Sequence, residues 1–370
     1  MKIDPEFEAV LSGLPEFVFN SDTLALSREL MPVAEPPSKD IERTEFTIAD
    51  GAVVVSVHRP REVPGLLPAV LWIHGGGMII GNRHMDNAQL ERWCRSFSCT
   101  CVSVEYRLAP EYPFPAPLED CYAALLWMVK EAGQLQIDIS RIGVGGKSAG
   151  GGLAAAVCLM ARERSGPPLS FQILDCPMSD DRQSTPSSQL EGVPIWSRES
   201  NQFGWKCYLG EHYGGDDVSP MAAPAREIDL RDLPTAFLAV GTADGLRDEI
   251  VDYGTRLSQA DVLVELHVYA GVPHGTGMFP GLAATDRINA ILDDFVGRSM
   301  ALGPQQRKQR IVVASRMRRS LADLECALNF GLNSVFGGQP SPPVGQFDGL
   351  DHFIRQRRLR WARPRIIADR

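Results

Sequence analysis

Two short glycine-rich segments carry residue types suited to acyl transfer. The first is HGGG at His74–Gly77 and the second is GKSAG at Gly146–Gly150, and each directly follows an apolar run typical of a strand. The second segment matches G-x-S-x-G, in which the outer glycines permit a strained strand-to-helix turn that leaves the serine hydroxyl exposed. These segments predict Ser148 as a nucleophile beside a turn that binds an oxyanion.

A serine nucleophile needs a general base and a carboxylate that orients the base. Both follow in the order Ser, Asp, His that accompanies this serine motif. Asp244 comes after the strand-like run TAFLAVG, and His274 follows the next strand-like run in the segment GVPHG. We expect Nε2 of His274 to accept the Ser148 proton while its Nδ1–H donates to Asp244.

Backbone N–H groups of the glycine turn are candidate oxyanion donors, because glycine places no side chain between them and a substrate carbonyl. We expect the turn Gly75, Gly76 and Gly77 to act together with the N–H of Ala149, which begins the helix after the serine. Which two of the three glycines donate stays open at the level of sequence.

Other acids and histidines compete for these roles. Asp248 lies close behind Asp244, but a position at the strand end favours Asp244, whereas Asp248 suits the first turn of a helix. His267 alternates within a strand pattern and is interpreted as structural. His84 lies near the glycine turn and is a candidate for lining the pocket.

Nucleotide and metal sites are not predicted. A phosphate loop would need glycine where Arg141 stands, and a dinucleotide-binding pattern would need glycine at Ser148. The eight cysteines lie mostly in apolar runs, and neither Cys nor His recurs at ligand spacing. We therefore expect no metal and no cofactor, and interpret the cysteines as small buried apolar residues.

Strand-like and helix-like runs alternate from residue 42 to residue 300. The strand-like runs are 43–48, 52–57, 68–73, 99–106, 141–145, 169–176, 235–241 and 262–269, with a hairpin turn at Asp50-Gly51. The helix-like runs are 87–96, 118–131, 151–164, 247–259 and 286–300. This alternation predicts an α/β fold with a mostly parallel central sheet and helices on both faces.

The remaining segments suggest additions to one catalytic domain at 42–300. Residues 1–41 are interpreted as an N-terminal cap segment. Residues 178–222 interrupt the alternation, are polar and contain two tryptophans, Trp196 and Trp205, so they are interpreted as a cap insertion. The tryptophans are candidates for the cap core or for the lining of an acyl pocket.

Charge is distributed unevenly. Residues 301–370 contain 13 Lys or Arg and 5 Asp or Glu, a net charge of +8. Because the whole chain has a net charge of −9, residues 1–300 carry −17. An acidic body argues against nucleic-acid binding. No N-terminal signal or membrane-spanning run is apparent in the sequence, and we expect a cytoplasmic protein in a reducing compartment.

The basic extension at 301–370 has two parts. Apolar residues recur on one helical face within a predicted helix at about 311–336, which we expect to dock on the body or on a second subunit as a homodimer. Contact with a membrane surface through neighbouring arginines is a less favoured alternative. The Arg-rich run 355–365 has little core potential, and disorder is expected there.

The ordered motifs resemble those of the hormone-sensitive-lipase-like esterases of the α/β-hydrolase fold. These motifs are HGGG, the run YRLAPE at 106–111, GxSAGG, the run DGLRDE at 244–249 and a late His-Gly pair. The resemblance implies a carboxylic-ester hydrolase without a cofactor. It also implies catalytic roles for Ser148, Asp244 and His274, an oxyanion hole at Gly75–Gly77 plus Ala149, and a cap.

One position departs from this family pattern. Lys147 precedes the nucleophile where the family usually carries Asp or Glu. Our hypothesis is an altered specificity with retained chemistry. The run at 106–111 is interpreted as structural, with Arg107 available to pair with Glu111 or Asp120.

The sequence therefore predicts a serine hydrolase that cleaves carboxylic esters with small or medium acyl groups through an acyl-enzyme. An amidase, lactonase or deacetylase with the same residues is the alternative enzyme. A small-molecule receptor that binds without catalysis is the alternative of another class. The intact Ser, Asp and His argue against the receptor.

Overall fold

The computed structural model describes residues 1–13, 18–31 and 33–301. Within them the chain builds an eight-stranded sheet, in the order β1-β2-β4-β3-β5-β6-β7-β8. The strands are β1 (Ile41–Ile48), β2 (Val53–Pro60), β3 (Leu67–Ile73), β4 (Thr100–Glu105), β5 (Ile137–Lys147), β6 (Phe171–Asp175), β7 (Thr235–Ala243) and β8 (Val264–Pro273). The pairs β1/β2 and β2/β4 are antiparallel, and all other neighbours are parallel.

Helices cover both faces of this sheet. The described helices are α1 (Pro5–Leu11), α2 (Leu24–Glu29), α3 (Asn87–Phe97), α4 (Ala116–Lys130), α5 (Ala132–Leu135), α6 (Ala149–Glu163), α7 (Arg198–Leu209), α8 (Arg247–Gln259) and α9 (Ala283–Ala301). Buried residues of α4, α6 and α8 pack into the larger core on one face, and those of α3 and α9 into a second core on the other. The predicted α/β architecture is confirmed.

The central strands are buried on both faces, as their unbroken apolar runs predicted. Every residue of β3, with the sequence LPAVLWI, is buried. All eight predicted strands and all five predicted helices are present, with ends that differ by a few residues. Four helices, α1, α2, α5 and α7, had no sequence prediction. Three of them have seven residues or fewer, too short for a helical period to stand out.

The segment between β6 and β7 is partly ordered into helix. It contains α7 and three short 3₁₀ turns, the first two of which flank α7 at 187–189 and 210–212. The division into an N-terminal cap segment, a catalytic domain and a cap insertion stays a prediction. The predicted tail helix and the Arg-rich run lie outside the described residues. Among the described helices, none combines the length and the apolar character needed to cross a bilayer.

Candidate active site

Ser148 lies on a sharp turn between β5 and α6. Its φ of +54° is unusual for a residue with a side chain, and its N–H donates to the carbonyl of Asp175 at 2.9 Å. A Cβ at Gly146 or at Gly150 would overlap with the backbone carbonyl of Ile73. Glycine at both outer positions of the motif therefore lets β3 pass close enough to hold the turn in place.

A chain of hydrogen bonds joins the three residues that the sequence singled out. The Ser148 hydroxyl donates to Nε2 of His274 at 2.9 Å, and Nδ1–H of His274 donates to the Asp244 carboxylate at 2.8 Å. All three side chains are buried. The loops after β5, β7 and β8 bring them together, because the carboxyl ends of parallel strands meet at one edge of the sheet.

Asp244 is held firmly in its loop. Besides the contact with His274, its carboxylate accepts the N–H of Leu246 at 2.9 Å. The rival Asp248 instead accepts the N–H of Ser187 at 2.7 Å and the Arg247 guanidinium at 2.7 Å, in the first turn of α8. The placement of both acids agrees with the interpretation from the strand end.

The other histidines lie elsewhere. The His267 ring stacks on Tyr269 with the centroids 5.9 Å apart, within β8. The His84 ring lies 3.7 Å from the Glu45 carboxylate and 3.4 Å from the Asn87 amide.

The glycine turn lies directly against the serine turn. A Cβ at Gly75 would be 3.4 Å from the Ser148 Cβ and 3.1 Å from the Lys147 carbonyl. Gly76 and Gly77 both have positive φ, of 109° and 61°. Within the described residues, the N–H groups of Gly76, Gly77 and Ala149 make no hydrogen bond to the protein.

His74 supports the glycine turn from below. Its Nδ1–H donates to the Gly75 carbonyl at 2.7 Å, and its ring stacks on Tyr106 with centroids 4.1 Å apart. Burial lowers the pKa of His74, so its imidazole is neutral. The Tyr106 hydroxyl donates to the His74 carbonyl at 3.1 Å. The first residue of the HGGG motif thus positions the turn and does not face Ser148 as a base.

Trp196 covers the glycine turn. Any side chain at Gly77 would overlap with its indole, and the ring lies 6.4 Å from that of His274. The indole N–H donates to Asn201 at 3.0 Å, and the Phe19 ring packs on the indole with the centroids 5.3 Å apart. The insertion after β6 and the N-terminal segment therefore meet above the candidate site.

The ionisation of His274 depends on two opposing influences. Burial disfavours the imidazolium and lowers its pKa, but the nearby Asp244 carboxylate raises it, and the net pKa of His274 is well above the ordinary value. Sequence reasoning missed a third neighbour, Cys176, which follows β6. Its sulfur lies within 4.8 Å of the ligand atoms of both residues.

Lys147 does not face the site as a free cation. Its Nζ lies 2.8 Å from the Asp86 carboxylate, which also accepts the Trp72 indole N–H at 2.8 Å. Only 20% of the Lys147 side chain and 12% of the Asp86 side chain are exposed. Lys147 is also in register with Asp175 across β5 and β6. The unusual lysine is thus compensated by an acid at the start of α3.

Arg28 of α2 is a positioning residue that sequence reasoning missed. It donates to the Ile79 carbonyl at 2.8 Å and forms a bidentate pair with Glu111 at 2.7 and 2.8 Å. Arg107 therefore pairs with Asp120, at 2.6 Å, and not with Glu111. No sequence signal on α2 identified Arg28, because its partners lie more than fifty positions away.

Comparisons with known proteins identify the family of this chain. A family model described as alpha/beta hydrolase fold matches residues 70–278. Esterase LipI of Mycobacterium tuberculosis is 33% identical over 296 residues, which cover 78% of this chain and 92% of LipI. Carboxylesterase NlhH of the same species is 34% identical over 285 residues, which cover 74% of this chain and 88% of NlhH.

Solved structures extend the comparison to the fold. A bacterial heroin esterase superposes with a TM-score of 0.75 at 39% identity and covers 81% of this chain and 98% of its own. Esterase LipW of Mycobacterium marinum superposes with a TM-score of 0.71 at 32% identity and covers 80% of this chain and 96% of its own. This chain therefore belongs to the alpha/beta hydrolase fold family, in the hormone-sensitive-lipase-like esterase group that its ordered motifs indicated.

Proposed function

We propose that this protein hydrolyses carboxylic esters through an acyl-enzyme, with Ser148 as nucleophile, His274 as general base and Asp244 as the acid that orients His274. The reaction class rests on the similarity to proteins named as esterases, which this chain matches over most of their length. The assignment of roles rests on one observation, the chain of 2.9 and 2.8 Å hydrogen bonds from Ser148 through His274 to Asp244.

Each partner performs one step. His274 removes the Ser148 proton as the oxygen attacks the ester carbonyl carbon, and Asp244 stabilises the imidazolium that forms. When the tetrahedral intermediate collapses, His274 gives the proton to the departing alkoxide and an alcohol leaves. Water then attacks the acyl-enzyme with His274 again as base, which releases the carboxylic acid and restores Ser148.

The oxyanion is assigned to the glycine turn and the start of α6. Gly75 packs against Ser148, and the N–H groups of Gly76, Gly77 and Ala149 have no acceptor within the described part of the protein. Free backbone donors of this kind stabilise negative charge as it develops, and each contributes about 3–4 kcal/mol to the transition state.

The side chains over the site leave room for an acyl group of small or medium size. Trp196 closes over the glycine turn, and a small cavity lined by Val193, Trp196 and Leu246 adjoins the Asp244 loop. Bulky side chains at these positions limit the length of an acyl chain that fits beside them.

The test is pre-steady-state hydrolysis of an activated short-chain aryl ester. The wild-type protein should release a burst of the aryl alcohol equal to the enzyme concentration, followed by slower turnover. Ser148→Ala should lack the burst and lose about 10⁶-fold in kcat. Ser170→Ala is the matched control, because Ser170 is a buried serine just before β6, at the end of that strand away from Ser148, and its hydroxyl donates to the Ser140 carbonyl at 3.0 Å. An unchanged burst in Ser148→Ala would disprove the assignment.

A further inference from the structure

Three cysteine sulfurs meet on the face of the sheet that α3 covers. Cys94 lies on α3, Cys101 lies near the start of β4, and Cys99 precedes that strand. Their sulfurs lie within 4.8 Å of one another, and all three side chains are fully buried. We call these residues the thiol cluster. Their spacing over residues 94–101 matches no ligand pattern recognised in the sequence, and the packing of α3 on β4 brings the three sulfurs together.

His58 lies beside the thiol cluster. It is directly opposite Cys101 in the antiparallel pair β2/β4, so both side chains are on the same face. Its backbone carbonyl accepts the Cys94 thiol at 3.3 Å. The His58 side chain is fully buried, and neither ring nitrogen has a hydrogen-bond partner among the described residues.

The buried His58 imidazole lacks a partner for both ring nitrogens among the described residues. A buried polar group without a partner destabilises a fold by about 1–3 kcal/mol. A neutral imidazole has a lone pair that can bind a metal.

The spacing of the sulfurs suits a metal ion. The Cys99 and Cys101 sulfurs are 3.8 Å apart. In a tetrahedral zinc site, metal–sulfur bonds of about 2.3 Å hold neighbouring sulfurs about 3.8 Å apart. Sulfur and imidazole are also the donors that thiophilic ions select over carboxylate sites.

We propose that the three sulfurs of the thiol cluster bind one thiophilic metal ion of the Zn²⁺ type, with the unpartnered His58 imidazole on the same face of the sheet. Each thiol loses its proton to solvent when it coordinates, so binding releases up to three protons. The thiol cluster lies at the start of β4, whereas Ser148, Asp244 and His274 follow the carboxyl ends of other strands. The ion would join α3 to β4 and would take no part in ester hydrolysis.

The test is a titration of the metal-free, fully reduced full-length protein with Cd²⁺. Binding is followed by the ultraviolet absorbance of cadmium–thiolate bonds and by proton release, and Zn²⁺ is added to displace Cd²⁺. We expect one ion per chain. Cys101→Ala and Cys94→Ala should each weaken binding at least about tenfold, because even residues that only orient a ligand contribute that much.

Two control variants locate the ion. Cys158→Ala removes a buried cysteine of α6 on the other face of the sheet and should bind Cd²⁺ like the wild type. Cys176→Ala removes the thiol beside His274 and Asp244, where a second group of ligand atoms lies within 4.8 Å. Loss of the absorbance in Cys176→Ala but not in Cys101→Ala would place the ion at His274 and overturn the proposal.

Folding is monitored through hydrolysis of the short-chain ester. Cys101→Ala should retain that activity while it loses the metal, and Cys94→Ala provides the same test if Cys101→Ala does not fold. Unchanged Cd²⁺ binding in both variants would overturn the proposal. So would a disulfide within the thiol cluster of the protein as purified, since its sulfurs would then be unavailable.

Discussion

Two parts of the candidate site are held in different ways. One is the sheet edge that carries Ser148, Asp244 and His274, called the reacting edge, and the other is the cover that Trp196 and Phe19 form over the glycine turn. At the edge, backbone contacts fix the geometry, since a Cβ at Gly146 or Gly150 would overlap with the Ile73 carbonyl. In the cover, contacts between side chains fix the geometry, as Trp196 packs against both Phe19 and the glycine turn. Backbone constraints leave glycine and proline motifs in a sequence, whereas packing accepts many apolar residues. Chemistry is therefore easier to predict here than substrate choice.

Apart from removal of the nucleophile Ser148 itself, the largest effect is expected at Asp244. Asp244→Asn should lower kcat about 10⁴-fold, because the amide no longer holds His274 in the tautomer that accepts the serine proton. Steady-state kinetics on a short-chain ester measures the change. Asp248→Asn is the matched control, since Asp248 bonds to Ser187 and Arg247 and should alter kcat less than about tenfold.

The pH profile gives this comparison a second readout. Asp244 raises the pKa of His274 above its ordinary value of 6.5. Protonated His274 cannot act as a base, so kcat/KM should fall as the pH decreases through that raised pKa. In Asp244→Asn the acid limb should move to lower pH. An acid limb at the same pH in both proteins would contradict the role of Asp244.

Gly77→Ala tests the place where the edge and the cover touch. The new methyl group would overlap with Trp196, and φ is +61° there, so the turn must shift and lose oxyanion donors. We expect kcat to fall about 10²–10³-fold. Gly65→Ala is the control, because Gly65 also has positive φ, of 87°, but no atom within 4 Å of a new Cβ. That variant should lose stability but keep its kcat.

The double variant Gly77→Ala, Trp196→Ala separates steric overlap from backbone strain. It should recover part of the lost kcat, because the indole no longer displaces the turn. Equal losses in the single and double variants would mean that the overlap with Trp196 does not cause the defect.

Features fixed by the backbone could be predicted from the sequence, whereas features fixed by contacts between side chains could not. The strands and long helices were predictable because their apolar periods are set by burial, as in the fully buried β3. The spatial meeting of Ser148, Asp244 and His274 was predictable because strand ends share one edge. The Arg28–Glu111 and Lys147–Asp86 pairs were not, since each joins distant segments through side chains alone.

Trp196→Ala should alter substrate choice with a smaller effect on chemistry. Removal of the indole opens the cover, so the ratio of kcat/KM for long over short acyl esters should rise about tenfold, typical of pocket contacts. Hydrolysis of a series of esters that differ only in acyl length measures the ratio. Trp196→Phe retains an aromatic ring, so its kcat/KM ratio should lie between those of the wild type and Trp196→Ala. An unchanged profile in Trp196→Ala would exclude Trp196 from the acyl pocket.

The smallest effect on rate is expected at Lys147. This residue belongs to the reacting edge but is held by a side-chain ion pair with Asp86. Lys147→Met leaves Asp86 largely buried, with the Trp72 indole as the one remaining side-chain donor among the described residues. The free energy of unfolding should therefore fall by about 2 kcal/mol, between values for exposed and buried ion pairs. Lys147 and Trp72 lower the pKa of Asp86 although burial raises it. The stability that this pair contributes is therefore present at neutral pH and is lost as the pH falls through the lowered pKa of Asp86.

Denaturant titrations of Lys147→Met, Asp86→Asn and the double variant measure the coupling between the two residues. We expect the difference between Lys147→Met and the wild type to shrink at acidic pH, while kcat on a neutral ester changes less than about threefold. A loss of stability that is equal at pH 3 and pH 7 would mean that packing of the lysine stem, and not its charge, supports the serine turn.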